Sequence, residues 1–146
     1  MLKLSSKVRY ALLALLELAS HYEQSEFLQI DQIVAAGQIP EGYLVQLLIS
    51  LRRCGLVRSQ RGARGGYSLT KEPQNITLLE IVVCLEGIER QEKSERAKLS
   101  NLENSLIEAI WHEAENSVIT VFGSYTLKHL CDKRNEGRQS NPMYYI

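Results

Sequence analysis

The sequence predicts a mainly α-helical chain with one small β-hairpin, and two neighbouring segments carry that expectation. Residues 61–67, reading RGARGGY, place three glycines and two arginines between the β-compatible runs Gly55-Leu56-Val57-Arg58-Ser59-Gln60 and Tyr67-Ser68-Leu69-Thr70. Glycine reaches positive φ without steric cost, so the two runs read as a hairpin with a basic tip. Directly before it, residues 39–53 form an amphipathic segment that opens with Ile39-Pro40 and closes with Arg52-Arg53. A helix followed by a basic hairpin is the order of a winged helix-turn-helix. In that fold a recognition helix enters the major groove and the wing lies along the flanking backbone.

The other elements follow in chain order. Ser5 or Ser6 can cap a first helix to about His21, with Val8, Ala11, Leu12, Leu15, Leu16 and Ala19 at helical spacing. Leu13, Ala14 and Leu18 widen that stripe, so the helix should be buried on more than one side. Phe27-Leu28-Gln29-Ile30 suits a short third strand for the wing sheet. Asp31 can cap a two-turn helix through Ala36, with Gly37 in the C′ position. Pro40 then pre-sets φ at the first position of the next helix. That helix carries Leu44, Leu47, Leu48 and Leu51 on one face, which leaves Tyr43, Gln46, Ser50 and Arg53 for solvent or DNA.

Beyond the wing, Pro73 breaks the chain, and Thr77-Leu78-Leu79-Glu80 is a capping box for a helix through Leu85 that Glu86-Gly87 closes. Residues 88–98 are polar and charged and read as a connector. A long helix is expected from about Asn101 to Phe122, with Leu102, Leu106, Ile110, Ala114, Val118 and Val121 on its stripe and Ile107, Trp111, Ile119 and Phe122 beside it. Gly123 should stop it, and Thr126 can cap a last helix to about Lys133. From Arg134 onward the chain lacks periodicity and reads as a loose tail. So broad an apolar surface on one helix exceeds what a single neighbour can cover, and it suggests a partner helix from a second subunit.

The formal net charge of the 146 residues is zero, but its distribution is uneven. Residues 1–71 hold nine Lys or Arg against five Asp or Glu, and residues 52–64 hold five arginines and no acid. Clustered charge of this kind marks a nucleic-acid footprint. The three cysteines, Cys54, Cys84 and Cys131, are widely spaced and form no C-x-x-C, so neither a disulfide framework nor a zinc finger is expected. The N-terminus lacks a secretory pattern and no uncharged run reaches the roughly 18 residues of a membrane span, so a cytoplasmic protein without membrane contact is expected. Walker and dinucleotide loops, H-E-x-x-H and G-x-S-x-G are all absent from the sequence, which argues against an enzyme.

With these residues in view, the chain resembles the IscR and NsrR type of bacterial winged-helix transcription regulators, the Rrf2 family, over residues 1 to 133. The likeness rests on Leu4-Ser5-Ser6-Lys7-Val8-Arg9-Tyr10-Ala11, Tyr43-Leu44 with Gln46-Leu47, Leu51-Arg52-Arg53-Cys54-Gly55-Leu56-Val57, Arg61-Gly62 with Gly65-Gly66-Tyr67, and Ile76-Thr77-Leu78-Leu79-Glu80-Ile81, in that order. It implies a winged helix-turn-helix domain over residues 1–85, a charged connector over 86–100, and a dimerisation helix and short terminal helix over 101–133; past its end, the aperiodic residues 134–146 are expected as a flexible tail. It also implies a sequence-specific regulator that binds a palindromic operator in double-stranded DNA as a homodimer.

Carried over by position, Tyr43 and Gln46 would read bases and Arg61 would enter the minor groove, with Gly62 allowing close approach. Arg52, Arg53 and Arg64 would contact phosphate. Leu102, Leu106, Ile110, Trp111, Val118 and Phe122 would form the dimer contact. Gly42 and Val45 stand where relatives often carry serine and glutamate, and Ala63-Arg64 stands where Pro-Gly is common, so the operator sequence does not transfer.

Many members of the family hold an iron-sulfur cluster through three connector cysteines. Gly87 to Ser105 contains none, so no cofactor is expected. Two further readings stay open. One is a signalling module that keeps the winged domain but binds a regulatory protein partner. The other is an atypical iron-sulfur or thiol redox sensor drawing on Cys84, Cys131 and His112.

Overall fold

The computed structural model describes residues 3–87 and 101–140. Its elements are α1 (Ser6–Ser20), α2 (Ile30–Gly37), α3 (Glu41–Arg53), β1 (Val57–Gln60), β2 (Gly66–Leu69), a 3-10 turn at Pro73–Asn75, α4 (Leu78–Glu86), α5 (Leu102–Ser124) and α6 (Leu127–Ser140). This is the mainly α architecture with a small two-stranded wing that the sequence predicts.

α1 starts where Ser5 Oγ accepts the Val8 N–H at 3.2 Å. Its buried residues, Val8, Ala11, Ala14, Leu15 and Leu18, span a wide face because α2, α3, α4 and α6 all lie against it. Leu15, Leu44, Leu48, Leu51, Leu69, Ile76, Ile81 and Leu127 are among the fully buried side chains of one continuous core. Leu127 belongs to the terminal helix, so the core runs across the expected boundary between the winged domain and the C-terminal helices. Backbone pairs reinforce that junction: Leu78 N–H donates to Tyr125 O and Leu127 N–H to Ile76 O, each at 2.9 Å.

Several local expectations need correction. Residues 27–30 supply a single bridge, Leu28 with Tyr67, in place of a third strand, because α2 already begins at Ile30. The cap of α2 is Gln29, whose N–H donates to Gln32 Oε1 at 2.8 Å, and Asp31 falls within the first turn. Gln38, at φ 52° and ψ 41°, takes the left-handed position expected of Gly37. Gly37 answers a different need, since a Cβ there would lie 2.9 Å from Ile39 Cδ1. Pro40 precedes the first helical residue of α3 and serves as its cap.

α5 runs through Gly123 to Ser124, where helix packing on α4 outweighs the glycine's weak propensity; a Cβ on Gly123 would sit 3.7 Å from Leu79 Cδ2. α6 continues to Ser140, so residues 134–140 of the segment expected as a loose tail are helix. Leu127, Leu130, Cys131 and Arg134 keep the helical period on its inner face, and Arg134 Nη2 donates to Ser20 Oγ on α1. An arginine in an apolar slot hid the period from sequence reasoning. Thr126 caps α6 as expected, its Oγ1 accepting the His129 N–H while His129 Nδ1 accepts the Thr126 N–H at 3.1 Å. Of the connector expected over 86–100, Glu86 ends α4 and Gly87 follows it, while residues 88–100, like 141–146, lie outside the described residues.

The cap of α4 is reciprocal. Thr77 Oγ1 accepts the Glu80 N–H at 3.1 Å, and Glu80 Oε2 accepts the Thr77 N–H at 2.9 Å. Thr77→Ala should therefore cost about 0.5–2 kcal/mol in urea unfolding. Burial pushes the Glu80 carboxyl up, but the Lys71 ammonium 2.8 Å away and the Thr77 N–H outweigh it and hold the group below its ordinary value. A lowered carboxylate stabilises the fold above its unfolded pKa, and that contribution disappears as pH falls through the folded one. The destabilisation caused by Glu80→Gln should accordingly shrink as pH is lowered from neutral through the carboxylate range. A constant difference between the two proteins across that titration would contradict the ionic part of the cap.

Candidate nucleic-acid interface

α2 and α3 meet at 113° across residues 38–40, the crossing of a helix-turn-helix pair. Ile39 plugs the turn at 1% exposure. α3 buries Leu44, Leu47, Leu48 and Leu51, and this fixes its opposite face outward. Glu41, Gly42, Tyr43, Gln46, Arg52 and Arg53 are exposed along that outer face and its ends. Tyr43 is 40% exposed, and its ring meets Tyr10 of α1 edge to face at 5.4 Å. The phenol is thus held in one direction by a ring on another helix.

The wing is pinned to the helix-turn-helix. β1 and β2 pair antiparallel, with Val57 opposite Leu69 and Gln60 opposite Gly66. Leu28 and Tyr67 exchange backbone hydrogen bonds at 2.9 and 2.8 Å, and Gln29 Nε2 donates to Ala63 O at 3.3 Å near the wing tip. Gly66 makes the first of these contacts feasible: at φ 140°, a Cβ on it would lie 2.3 Å from Leu28 O. Gly65 is as constrained, since its Cβ would be 2.1 Å from Gln60 O. Gly62, at φ 106°, faces open space and turns the tip.

Arg61 and Arg64 project from this tip as exposed residues. No ion pair or side-chain hydrogen bond among the described residues involves Arg53, Arg61 or Arg64. Arg52 differs: its Nη1 donates to Ser59 Oγ at 3.0 Å, bracing the end of α3 against β1.

The structure therefore brings Arg52, Arg53, Arg61, Gly62 and Arg64 onto one wing-and-helix unit with Tyr43 and Gln46. Two residues not singled out from sequence join them. Arg58 lies on β1 with its guanidinium 5.2 Å from the centre of the Phe27 ring, an exposed cation fixed by an aromatic face. Glu41, the first residue of α3, lines a shallow groove of about 390 Å³ together with Asp31, Gln29, Gly62 and Gly66. Arg58 is one of the five arginines of the acid-free run 52–64, whereas only the fold shows that the heads of α2 and α3 face the wing.

The residues expected at a dimer contact divide into two groups. Leu102, Leu106, Ile110 and Trp111 are between 58% and 71% exposed, and Ile107 beside them is 60% exposed. Val118 and Phe122 are half-buried, because the C-terminal half of α5 lies against α4 of the same chain.

The cysteines depart from expectation. Cys54 and Cys84 form a disulfide across 30 residues of sequence, with Cα atoms 6.0 Å apart. Helix packing of α3 against α4 creates this proximity, and sequence spacing carries no trace of it. Cys131 is a free, buried thiol; burial raises its pKa, partly offset by Arg134 and Lys128. Among the described residues no three His, Cys, Asp or Glu side chains converge as metal ligands, so Cys84, Cys131 and His112 are not gathered into a site. His112 instead pairs with Glu115 at 3.6 Å.

A family profile described as Rrf2, iron-dependent transcriptional regulator, matches residues 4–133. The HTH-type transcriptional regulator CymR of Bacillus subtilis is 36% identical over 149 aligned positions, covering 99% of this chain and 100% of that protein. Among solved structures, IscR of T. potens superposes with a TM-score of 0.76 at 31% identity, covering 94% of this chain and 91% of that one. The structure of CymR, the global cysteine regulator of B. subtilis, gives 0.71 at 34% identity, covering 91% of this chain and 98% of that one. Among the described residues no cluster of donor side chains matches the iron in the family description. The stretch from Gly87 to Ser105 has no cysteine, and two of the three thiols in the chain are consumed by the disulfide.

Proposed function

The chain belongs to the Rrf2 family of DNA-binding transcriptional regulators, and from that premise we propose that it acts as a homodimer on a palindromic operator. The observation that carries this reading is the wing braced to the helix-turn-helix, which sets Arg61, Arg64 and the outer face of α3 on one rigid unit. Tyr43 and Gln46 address base edges in the major groove, and Glu41 can accept from a cytosine amino group. Arg61 enters the adjacent minor groove, with Gly62 leaving room for the backbone. Arg53 and Arg64 contact phosphate, joined by Arg58, while Arg52 divides its donors between phosphate and Ser59. The exposed apolar residues of α5 pair with those of a second copy. No iron-sulfur cluster and no catalytic chemistry belong to this reading, and a protein partner is one source of regulatory input.

Selection of bound sequences from random DNA by the purified full chain tests it. The enriched site should be an imperfect inverted repeat with half-sites about 34–36 Å apart, or a multiple of that spacing. Enrichment of isolated half-sites alone would remove the dimer, and absence of enrichment would remove sequence-specific recognition.

A further inference from the structure

The disulfide lies at a mechanically exposed point. Cys54 caps the C-terminal end of α3, directly after Arg52 and Arg53, and Gly55 at φ 79° then turns the chain toward β1. Cys84 sits in the last turns of α4, the helix against which α5 packs. One covalent bond therefore ties the end of the recognition helix and the root of the wing to the support of the long helix. Cys54 is exposed and Cys84 half-buried, so a small thiol can approach the Cys54 sulfur. Cys131 is buried on α6 and is not bonded to either.

We propose that Cys54 and Cys84 are a reversible thiol–disulfide pair that sets operator affinity, the disulfide being the tighter-binding form. The inference rests on reading α3 and the wing as the operator-binding face. In reduction, the thiolate of a low-molecular-weight thiol attacks Cys54 Sγ, forming a mixed disulfide and expelling Cys84 as thiolate, which takes a proton. A second small thiol attacks the non-protein sulfur of that mixed disulfide and releases Cys54 as thiolate. The net change consumes two small thiols and yields one small disulfide and two protein thiols. The same small disulfide, in excess, is the oxidant of the reverse reaction. Cutting the tie frees residues 52–60 to sample more conformations, and the cost of ordering them again is then charged to DNA binding.

The test is operator binding by the full chain equilibrated in glutathione and glutathione disulfide mixtures, with the pairing mapped by mass spectrometry. The disulfide form should bind roughly three- to tenfold more tightly than the dithiol form, reversibly. Cys54→Ser and Cys84→Ser should each bind like the reduced protein at every ratio, and Cys131→Ala should switch like wild type. Backbone amides of residues 55–60 should exchange faster in the dithiol form without DNA present. Equal affinities of the two forms, or a pair that stays as thiols throughout the series, would overturn the switch. Binding by neither form would overturn the operator reading instead, and the DNA-free exchange measurement separates that failure from failure of the bond to form.

Discussion

Ile110→Asp should convert the protein to a monomer and lower operator affinity by about a hundredfold or more. Ile110 is 66% exposed between Leu106 and Trp111 at 58% and 67%, on the half of α5 that no described part of the chain covers. Such an apolar face is costly to leave in water, at roughly 25 cal/mol for each Å² of apolar surface, and a second copy of the helix would bury it from both sides. An aspartate there would place two unpaired carboxylates in the contact, related by the dimer axis. Losing the dimer replaces one bivalent binding event with two independent ones, and linkage of two binding modules typically contributes about 10²–10⁴ in affinity. Sedimentation velocity and operator titration should change together. A variant that stays dimeric, or a monomer that binds as tightly as wild type, would contradict this role for α5. Val118→Ala should perturb stability as well as assembly, since Val118 packs within its own chain.

The second large effect separates the cations. Arg61→Ala should weaken operator binding by about 1–3 kcal/mol and relax preference at an A·T-rich position, because a narrow minor groove attracts an inserted guanidinium and its width depends on sequence. Arg53→Ala should weaken operator and random DNA alike and reduce the salt slope by about one. Both residues are exposed and free of ion pairs among the described residues, so neither replacement should alter the fold. Arg52→Ala should behave as a mixture, losing a phosphate contact and the Ser59 brace together. Measured on one operator and one scrambled duplex, equal losses of specificity in Arg61→Ala and Arg53→Ala would contradict the division of labour.

Much of this arrangement is legible in the residues. The leucine spacing of α3, the Thr77–Glu80 box and the glycine-flanked RGARGGY tip each express a local rule, so they appear in the structure where the rule places them. The misses are of another kind. Arg134 keeps the helical period of α6 while breaking its apolar pattern, because its contact is with Ser20 on α1, more than a hundred residues away. The Cys54–Cys84 bond depends on how α3 meets α4, and the bracing of the wing by Gln29 and Arg52 depends on how three elements converge. Gly66 was visible as a turn residue, but its steric role against Leu28 O was not. Local rules thus locate the elements and the basic tip, and long-range packing decides which side chains are braced and which are free to reach DNA.

The central claim is that two copies of this braced unit read one operator symmetrically. A hydroxyl-radical footprint of the full chain on its selected operator tests it most directly. Two protected segments should appear on the same face of the duplex, their centres about one helical turn or a multiple of it apart, with flanking minor-groove protection that disappears in Arg61→Ala. A single protected segment, or two whose flanks are unchanged by that substitution, would contradict it.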